Sequence, residues 1–179
     1  MVNEDRAKAF RKIALNEFRE FSALLEAAAN RDIVYTTQGV LNETRRLIKY
    51  LLGTRRRLKM RGDKHREVAS EMCKLYNFYD RIVSAFESDY QNRVIVIPDA
   101  ERSELLRIID DNSSDMELSD VNKDLIATGM YFARDMRRRD EKVVVVSRDS
   151  GLLEALKRTR TNNRNNPLIS QRCFGVYYK

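Results

Sequence analysis

Four consecutive valines, Val143 to Val146, constrain the fold of this chain more than any other feature. An unbroken β-branched run of this length is typical of a strand that is buried on both faces. Sheets of such strands are usually parallel and carry helices on each side, so the run predicts an α/β protein. The strand leads through Ser147 directly to Asp149, and the carboxyl ends of parallel strands are where α/β proteins place their sites.

The rest of the chain alternates short apolar segments with amphipathic helices. Further strands are predicted at 33–37, 94–97 and 174–178, and helices at 6–29, 37–53, 67–90, 100–111, 119–138 and 150–157. Gly53 is predicted to end the second helix, Ser119 to cap the fifth, and residues 55–65 and 159–166 to form a connection and a loop. We therefore predict a single domain over 1–179, with a short central parallel sheet of about four or five strands and helices on both faces.

Basic residues outnumber acidic ones, 34 to 27, which gives a formal net charge of +7 and favours polyanionic partners. The excess is concentrated between Arg45 and Arg66, where Asp63 is the single opposing charge. A solvated helix face is the alternative explanation for such a run. The residues predicted to contact nucleic-acid phosphates are Arg45, Arg46, Lys49, Arg55, Arg56, Arg57, Lys59 and Arg61.

Several classes of site are disfavoured by the residues present. Cys73 and Cys173 lie far apart and His65 is the single histidine, which argues against a zinc site, a disulfide framework and histidine-based acid–base chemistry. No Gly-x-x-x-x-Gly-Lys phosphate loop occurs. No apolar stretch approaches the roughly 20 residues that span a bilayer. The sequence predicts a soluble, cytoplasmic protein without a membrane partner.

Acidic residues recur at predicted strand ends and helix starts. Asp149 follows the valine strand, Asp120 and Asp124 lie one helical turn apart on one face, and Glu43 lies early in the helix after the first strand. Asp149 alone is also explained as an ordinary helix N-terminal residue. Oxygen ligands without a nearby histidine or cysteine favour Mg²⁺ or Mn²⁺. Such ions can activate water and neutralise charge on a phosphodiester.

Three segments, in order, resemble the PIN-domain nuclease family. They are Val-Leu-Asn-Glu43 after a strand, Asn-Lys-Asp124-Leu-Ile-Ala at a helix start, and the valine strand ending in Ser147-Arg-Asp149. The resemblance covers about residues 33 to 157. It implies an α/β fold whose acidic cluster binds Mg²⁺ or Mn²⁺ and cleaves RNA.

The resemblance implies a role for each of these residues. Glu43, Asp124 and Asp149 would ligate the metal ion, and Asp120 would assist them. Ser147 would orient Asp149 or a bound water. The family's first strand normally ends in an aspartate, which here would be Asp5 as a fourth ligand. Asn16 is the other candidate for that position, and without Asp5 the site would be incomplete.

The implied function is a Mg²⁺- or Mn²⁺-dependent endoribonuclease acting on single-stranded or structured RNA. Alternatives are a PIN-like nucleic-acid-binding module or scaffold with weak or no catalysis, a structural protein that docks a partner on helix 67–90, and a phosphatase for a small substrate. Homodimerisation and a protein partner stay open, because the sequence does not distinguish them.

Overall fold

The computed structural model describes residues 35–59, 66–89, 91–135, 142–147 and 149–177. The predicted helix 6–29, together with Asp5, Asn16, Arg61 and His65, lies outside these residues. In chain order the elements are β1 (Thr36–Thr37), α1 (Gln38–Lys59), α2 (Arg66–Ser88), a 3₁₀ turn (Gln91–Arg93), β2 (Val94–Ile95), α3 (Asp99–Ser113), α4 (Asp120–Asp135), β3 (Val143–Ser147), α5 (Ser150–Asn162) and β4 (Cys173–Tyr177).

The described residues group into two compact units. The first contains Leu41–Val94, and the second contains Thr37–Val40 together with the chain from Ile95 onward. A single domain over residues 1–179 stays a prediction.

In the described part of the first unit, α1 and α2 form an antiparallel pair. Leu51, in the second half of α1, packs with Met72 near the start of α2. Leu41, near the start of α1, packs with Phe86 near the end of α2. Each helix carries apolar residues at three- and four-residue spacing, so the shared face excludes water where these residues pack together.

The second unit packs α3, α4 and α5 around the strands β3 and β4. The two strands are parallel, and their register pairs Val143 with Cys173 and Ser147 with Tyr177. Because α5 connects them, they form a strand–helix–strand unit. Its buried core residues are Ile97, Leu105, Ile108, Ile109, Ile126, Ala127, Met130, Ala133, Val145, Leu152, Ala155, Leu156, Ile169 and Cys173.

Helix α4 approaches this sheet closely at Gly129. A Cβ added at Gly129 would lie 2.8 Å from Val145 Cγ2 and 3.1 Å from Cys173 Sγ. The missing side chain therefore allows the helix backbone to lie directly on both strands.

The predicted central sheet of four or five strands is wrong. The described residues contain five α-helices and two separate two-stranded parallel sheets, β1 with β2 and β3 with β4. The valine run forms β3 as predicted, but Val145 alone among its valines is buried, while Val144 and Val146 are exposed. A strand of four valines can therefore have one covered face, so the run did not require helices on both sides.

The first two strands are short because helices begin at their ends. Thr37 Oγ1 accepts a hydrogen bond from the backbone N–H of Val40 over 3.2 Å, which starts α1 directly after β1. The predicted strand 94–97 stops at Ile95, since Val96 is 79% exposed and Pro98 precedes α3. In the described residues, β1 and β2 together contain four residues, which are too few for a central sheet.

Two helices extend beyond their predicted ends. Helix α1 continues through Gly53 to Lys59, so the predicted glycine terminus and part of the predicted connection 55–65 are wrong. An added Cβ at Gly53 would meet no atom within 4 Å, so this glycine lies in open space inside a helix. Helix α5 continues to Asn162, into the predicted loop 159–166. Within the described residues, no helix combines the length and the apolar character needed to cross a membrane.

Candidate functional site

Asp149 lies between the carboxyl end of β3 and the first turn of α5. Its Oδ1 accepts hydrogen bonds from the backbone N–H groups of Gly151 and Leu152, at 2.9 and 3.1 Å. These bonds make it the N-cap of α5, because they satisfy donors that have no partner within the helix. Its own backbone N–H donates to Ser147 Oγ over 3.0 Å, so the hydroxyl that we predicted to orient Asp149 contacts its main chain.

Asn122 holds the other oxygen of Asp149. Its Nδ2 donates to Asp149 Oδ2 over 2.6 Å, and this bond joins the first turn of α4 to the end of β3. Ser119 Oγ accepts from the backbone N–H of Asn122 over 3.2 Å, which confirms the predicted cap of this helix. Asn122 is therefore fixed through its backbone as well as through its side chain.

Asp124 lies two residues further along α4. Its side chain is 19% exposed, and its Oδ1 accepts from Arg102 Nε over 2.6 Å. A Cβ added at Gly39, in the first turn of α1, would lie 3.6 Å from Asp124 Oδ2. The positive end of that helix and a guanidinium thus both stabilise the carboxylate.

Asp120 is exposed at the first position of α4. Its neighbour Lys123 places Nζ 2.6 Å from Asp110 Oδ1. The hydrogen bond to Asp110 raises the pKa of Lys123, and the charges of Asp110 and Asp120 add to that effect. Asp120 thus interacts electrostatically with Lys123, and its assisting role in a metal site stays a prediction.

The carboxylate oxygens of Asp149 are ligands of the hard type that Mg²⁺ and Mn²⁺ prefer. A carboxylate offers about four lone-pair directions, and Asp149 uses three of them for Gly151, Leu152 and Asn122. Contacts from the described residues leave one direction unused, and α4 carries a second carboxylate, that of Asp124. The donor chemistry fits such an ion, although no group of three or more acidic, cysteine or histidine side chains suited to a metal occurs within the described residues.

Glu43 belongs to the first unit, where it is exposed on α1. Arg45, also on α1, donates from Nη1 to Asn42 Oδ1 over 2.7 Å and forms an ion pair with Glu87 of α2. The Arg45 side chain therefore links α1 to α2.

The other predicted phosphate contacts differ in their exposure. Arg46, Lys49 and Arg56 are exposed on α1, whereas Arg55 is half-buried. Arg57 and Lys59 also belong to α1. Among the basic residues whose side chains the structure describes, Arg45 is engaged and Arg55 is half-buried, whereas Arg46, Lys49 and Arg56 are exposed.

A shallow cleft lies elsewhere in the second unit, between α5 and β4. Its volume is about 390 Å³, and its lining includes Leu153, Lys157, Arg160 and Phe174. The Arg160 guanidinium carbon lies 4.3 Å from the centre of the Phe174 ring. None of the predicted carboxylates lines this cleft.

Two residues of the candidate site did not emerge from the sequence as functional. Asn122 was part of the motif around Asp124 without a role of its own, and Arg102 was not singled out. Asn122 follows Ser119 by three residues, a spacing that places its side chain in the first turn. The contact of Arg102 with Asp124 crosses from α3 to α4, so no local spacing indicates it.

Comparison with known proteins identified no relative of this chain. No protein-family model matches the chain, and no curated protein or solved structure is significantly similar to it.

Proposed function

We propose that this protein is a metal-dependent ribonuclease in which Asp124 and Asp149 hold Mg²⁺ or Mn²⁺. One observation carries the proposal: the 2.6 Å bond from Asn122 brings the first turn of α4 to Asp149 at the carboxyl end of β3. Asp124 lies two residues further along the same helix. Asp149 at a strand end and Asp124 near a helix start are thus carried by elements that meet beyond the carboxyl end of β3, the edge at which α/β proteins bind ligands.

The chain's own residues would orient the site. The bound ion would supply charge neutralisation and an activated water for hydrolysis of a phosphodiester. Asn122 and the α5 backbone fix the rotation of the Asp149 carboxylate, which leaves one oxygen direction for the ion. Glu43 and Asp5 are the further ligands that the PIN resemblance suggests, with Asp120 in an assisting role. The net charge of +7 favours an RNA substrate, and we expect the enzyme to act in the cytoplasm.

The test is cleavage of a labelled single-stranded RNA by the purified chain, with Mn²⁺ or with excess EDTA. Asp149→Asn keeps a good capping residue but removes the charge, so we expect it to lose cleavage while the fold is kept. Asp111→Asn is the matched control, because Asp111 is an exposed acid of the same unit, with Oδ2 3.8 Å from Arg107 Nη1. Equal cleavage by wild type and Asp149→Asn would refute the proposed site.

A binding module without catalysis is the second candidate, and the contact of Arg102 with Asp124 favours it. A guanidinium already neutralises this carboxylate, so the pair can be a purely structural ion pair. This candidate predicts RNA binding that decreases with salt and is the same with Mn²⁺ and with EDTA. Mn²⁺-dependent cleavage that requires Asp149 would exclude it.

A further inference from the structure

One face of α1 combines positive charge with an exposed aromatic ring. Tyr50 is 56% exposed, the largest exposed fraction among the aromatic side chains in the described residues. Arg46 precedes it by four residues and Lys49 by one, and both are exposed. Residues four apart on a helix are neighbours on one face, so the Tyr50 ring lies beside the Arg46 side chain.

The same face continues along the helix toward Arg56. Gly53 follows Tyr50 by three residues, and a Cβ there would meet nothing within 4 Å. Arg56 follows one turn later and is exposed. The buried residues Leu41, Ile48 and Leu51 occupy the opposite side of α1, where the helix packs on α2. We call the side of the helix defined by Arg46, Lys49, Tyr50, Arg56 and the half-buried Gly53 the α1 face.

Arg45 is excluded from the α1 face by its own contacts. It donates to Asn42 and pairs with Glu87, toward α2. The adjacent positions 45 and 46 therefore have different environments, one engaged within the unit and one exposed to solvent. This contrast provides a pair of matched variants for testing the face.

An exposed tyrosine between cationic side chains has a specific use in nucleic-acid binding. Unpaired bases stack on aromatic rings while Arg and Lys contact the flanking phosphates. Bases in a duplex are stacked on each other and cannot reach such a ring. A purely electrostatic surface would bind both forms, so the ring is what would select single strands.

We propose that the α1 face binds single-stranded RNA, with Tyr50 stacking on a base and Arg46, Lys49 and Arg56 contacting phosphates. The proposal rests on the ribonuclease function and deepens it by naming the substrate class as unpaired RNA.

The experiment measures binding without cleavage. Fluorescence anisotropy of a labelled oligouridylate and of a duplex RNA of equal length is recorded with the full chain in excess EDTA. We expect Tyr50→Ala to weaken binding of the single strand about 5- to 150-fold and to leave duplex binding unchanged. Tyr50→Phe keeps the ring and should bind like the wild type.

Two controls separate stacking from other effects. Leu47→Ala removes an exposed apolar side chain from the same helix without removing a π face, and we expect no loss of affinity. Arg46→Gln should weaken single-strand and duplex binding alike and lower the salt dependence, whereas Arg45→Gln should affect binding less than Arg46→Gln. Circular dichroism of each variant establishes that α1 is intact.

The possible results distinguish this inference from the ribonuclease proposal. If Tyr50→Ala binds the single strand like the wild type, stacking is refuted. Stacking is also refuted if the variant loses affinity for the single strand and the duplex equally, whatever the cleavage assay shows. If the wild type binds RNA through Tyr50 but never cleaves it, the α1 face is supported as an RNA-binding surface and the ribonuclease proposal fails. If the wild type binds neither RNA in EDTA, the α1 face is refuted, and the cleavage assay decides the ribonuclease separately.

Discussion

Arg102 Nε lies 2.6 Å from Asp124 Oδ1, so a guanidinium occupies one oxygen of a carboxylate that we assign to the metal. Side-chain exposure is 44% for Arg102 and 19% for Asp124. Solvent therefore weakens the attraction between the two charges but does not cancel it. A cation arriving at Asp124 would compete with this guanidinium for the same negative charge.

We therefore expect Arg102→Gln to tighten Mn²⁺ binding. Partly exposed ion pairs contribute at most about 1 kcal/mol, so the dissociation constant should fall by up to about fivefold. Calorimetric titration with Mn²⁺, without RNA, measures this directly. Arg107→Gln is the control, since Arg107 lies on the same helix beside Asp111. Weaker Mn²⁺ binding by Arg102→Gln would instead identify Arg102 as a residue that positions Asp124.

Replacing Asp149 should separate its capping role from its charge. Asp149→Ala loses the bonds to Gly151, Leu152 and Asn122, and we expect it to destabilise the protein by about 1–2 kcal/mol. Asp149→Asn keeps an acceptor for the cap and should cost less. Urea unfolding of the two variants measures the difference. Equal stability of Asp149→Ala and wild type would show that α5 does not depend on this cap.

Two glycines in helix interiors should respond oppositely to alanine. At Gly53 a methyl group meets open space, so Gly53→Ala should stabilise the protein by about 0.5–1 kcal/mol through helix propensity. At Gly129 the methyl would lie 2.8 Å from the stiff side chain of Val145, and overpacking should cost about 1–3 kcal/mol. Thermal or urea unfolding of both variants provides the comparison. A stable Gly129→Ala would mean that α4 can move away from the sheet.

The two cysteines should differ in reactivity. Burial raises the pKa of Cys173 to about 12, whereas Cys73 is partly exposed. We expect iodoacetamide at mildly alkaline pH to modify Cys73 in the native protein and Cys173 only after unfolding. Mass spectrometry of the labelled chain identifies each site, and rapid native labelling of Cys173 would contradict the buried position.

The same pKa shift predicts how stability changes in alkali. Above about pH 9 the unfolded chain releases the Cys173 proton while the folded chain keeps it. The unfolded state then binds fewer protons, so the free energy of unfolding should fall as pH rises from there toward 12. Cys173→Ala should remove this part of the pH dependence, which urea unfolding at several pH values would measure.

Local patterns predicted the elements better than their assembly. The spacing of apolar residues located the helices within the described residues, and Ser119 was identified as a cap, because both signals depend on neighbours in sequence. The number of strands in one sheet depends on pairing between distant segments, which the valine run does not specify. Val144 and Val146 are as apolar as Val145, so composition cannot distinguish the exposed face from the buried one.

In the candidate site, too, local sequence signals identified some residues and missed those that act through contacts between distant segments. Asp149 and Asp124 could be selected from their places at a strand end and a helix start, where carboxylates have a physical reason to occur. Their partners Asn122 and Arg102 reach them across tertiary contacts. Tyr50 was not singled out, since its exposure follows from which side of α1 packs on α2.

The parallel pairing of β3 with β4 imposes an order on folding. Val143 pairs with Cys173, so the whole of α5 must be synthesised and returned to the sheet before β3 gains its partner. Until then the valines present an unpaired apolar edge, the type of segment that drives association between incomplete chains. Early collapse of α5 onto β3 through Leu152 and Leu156 would shorten the time for which a nascent chain exposes that edge.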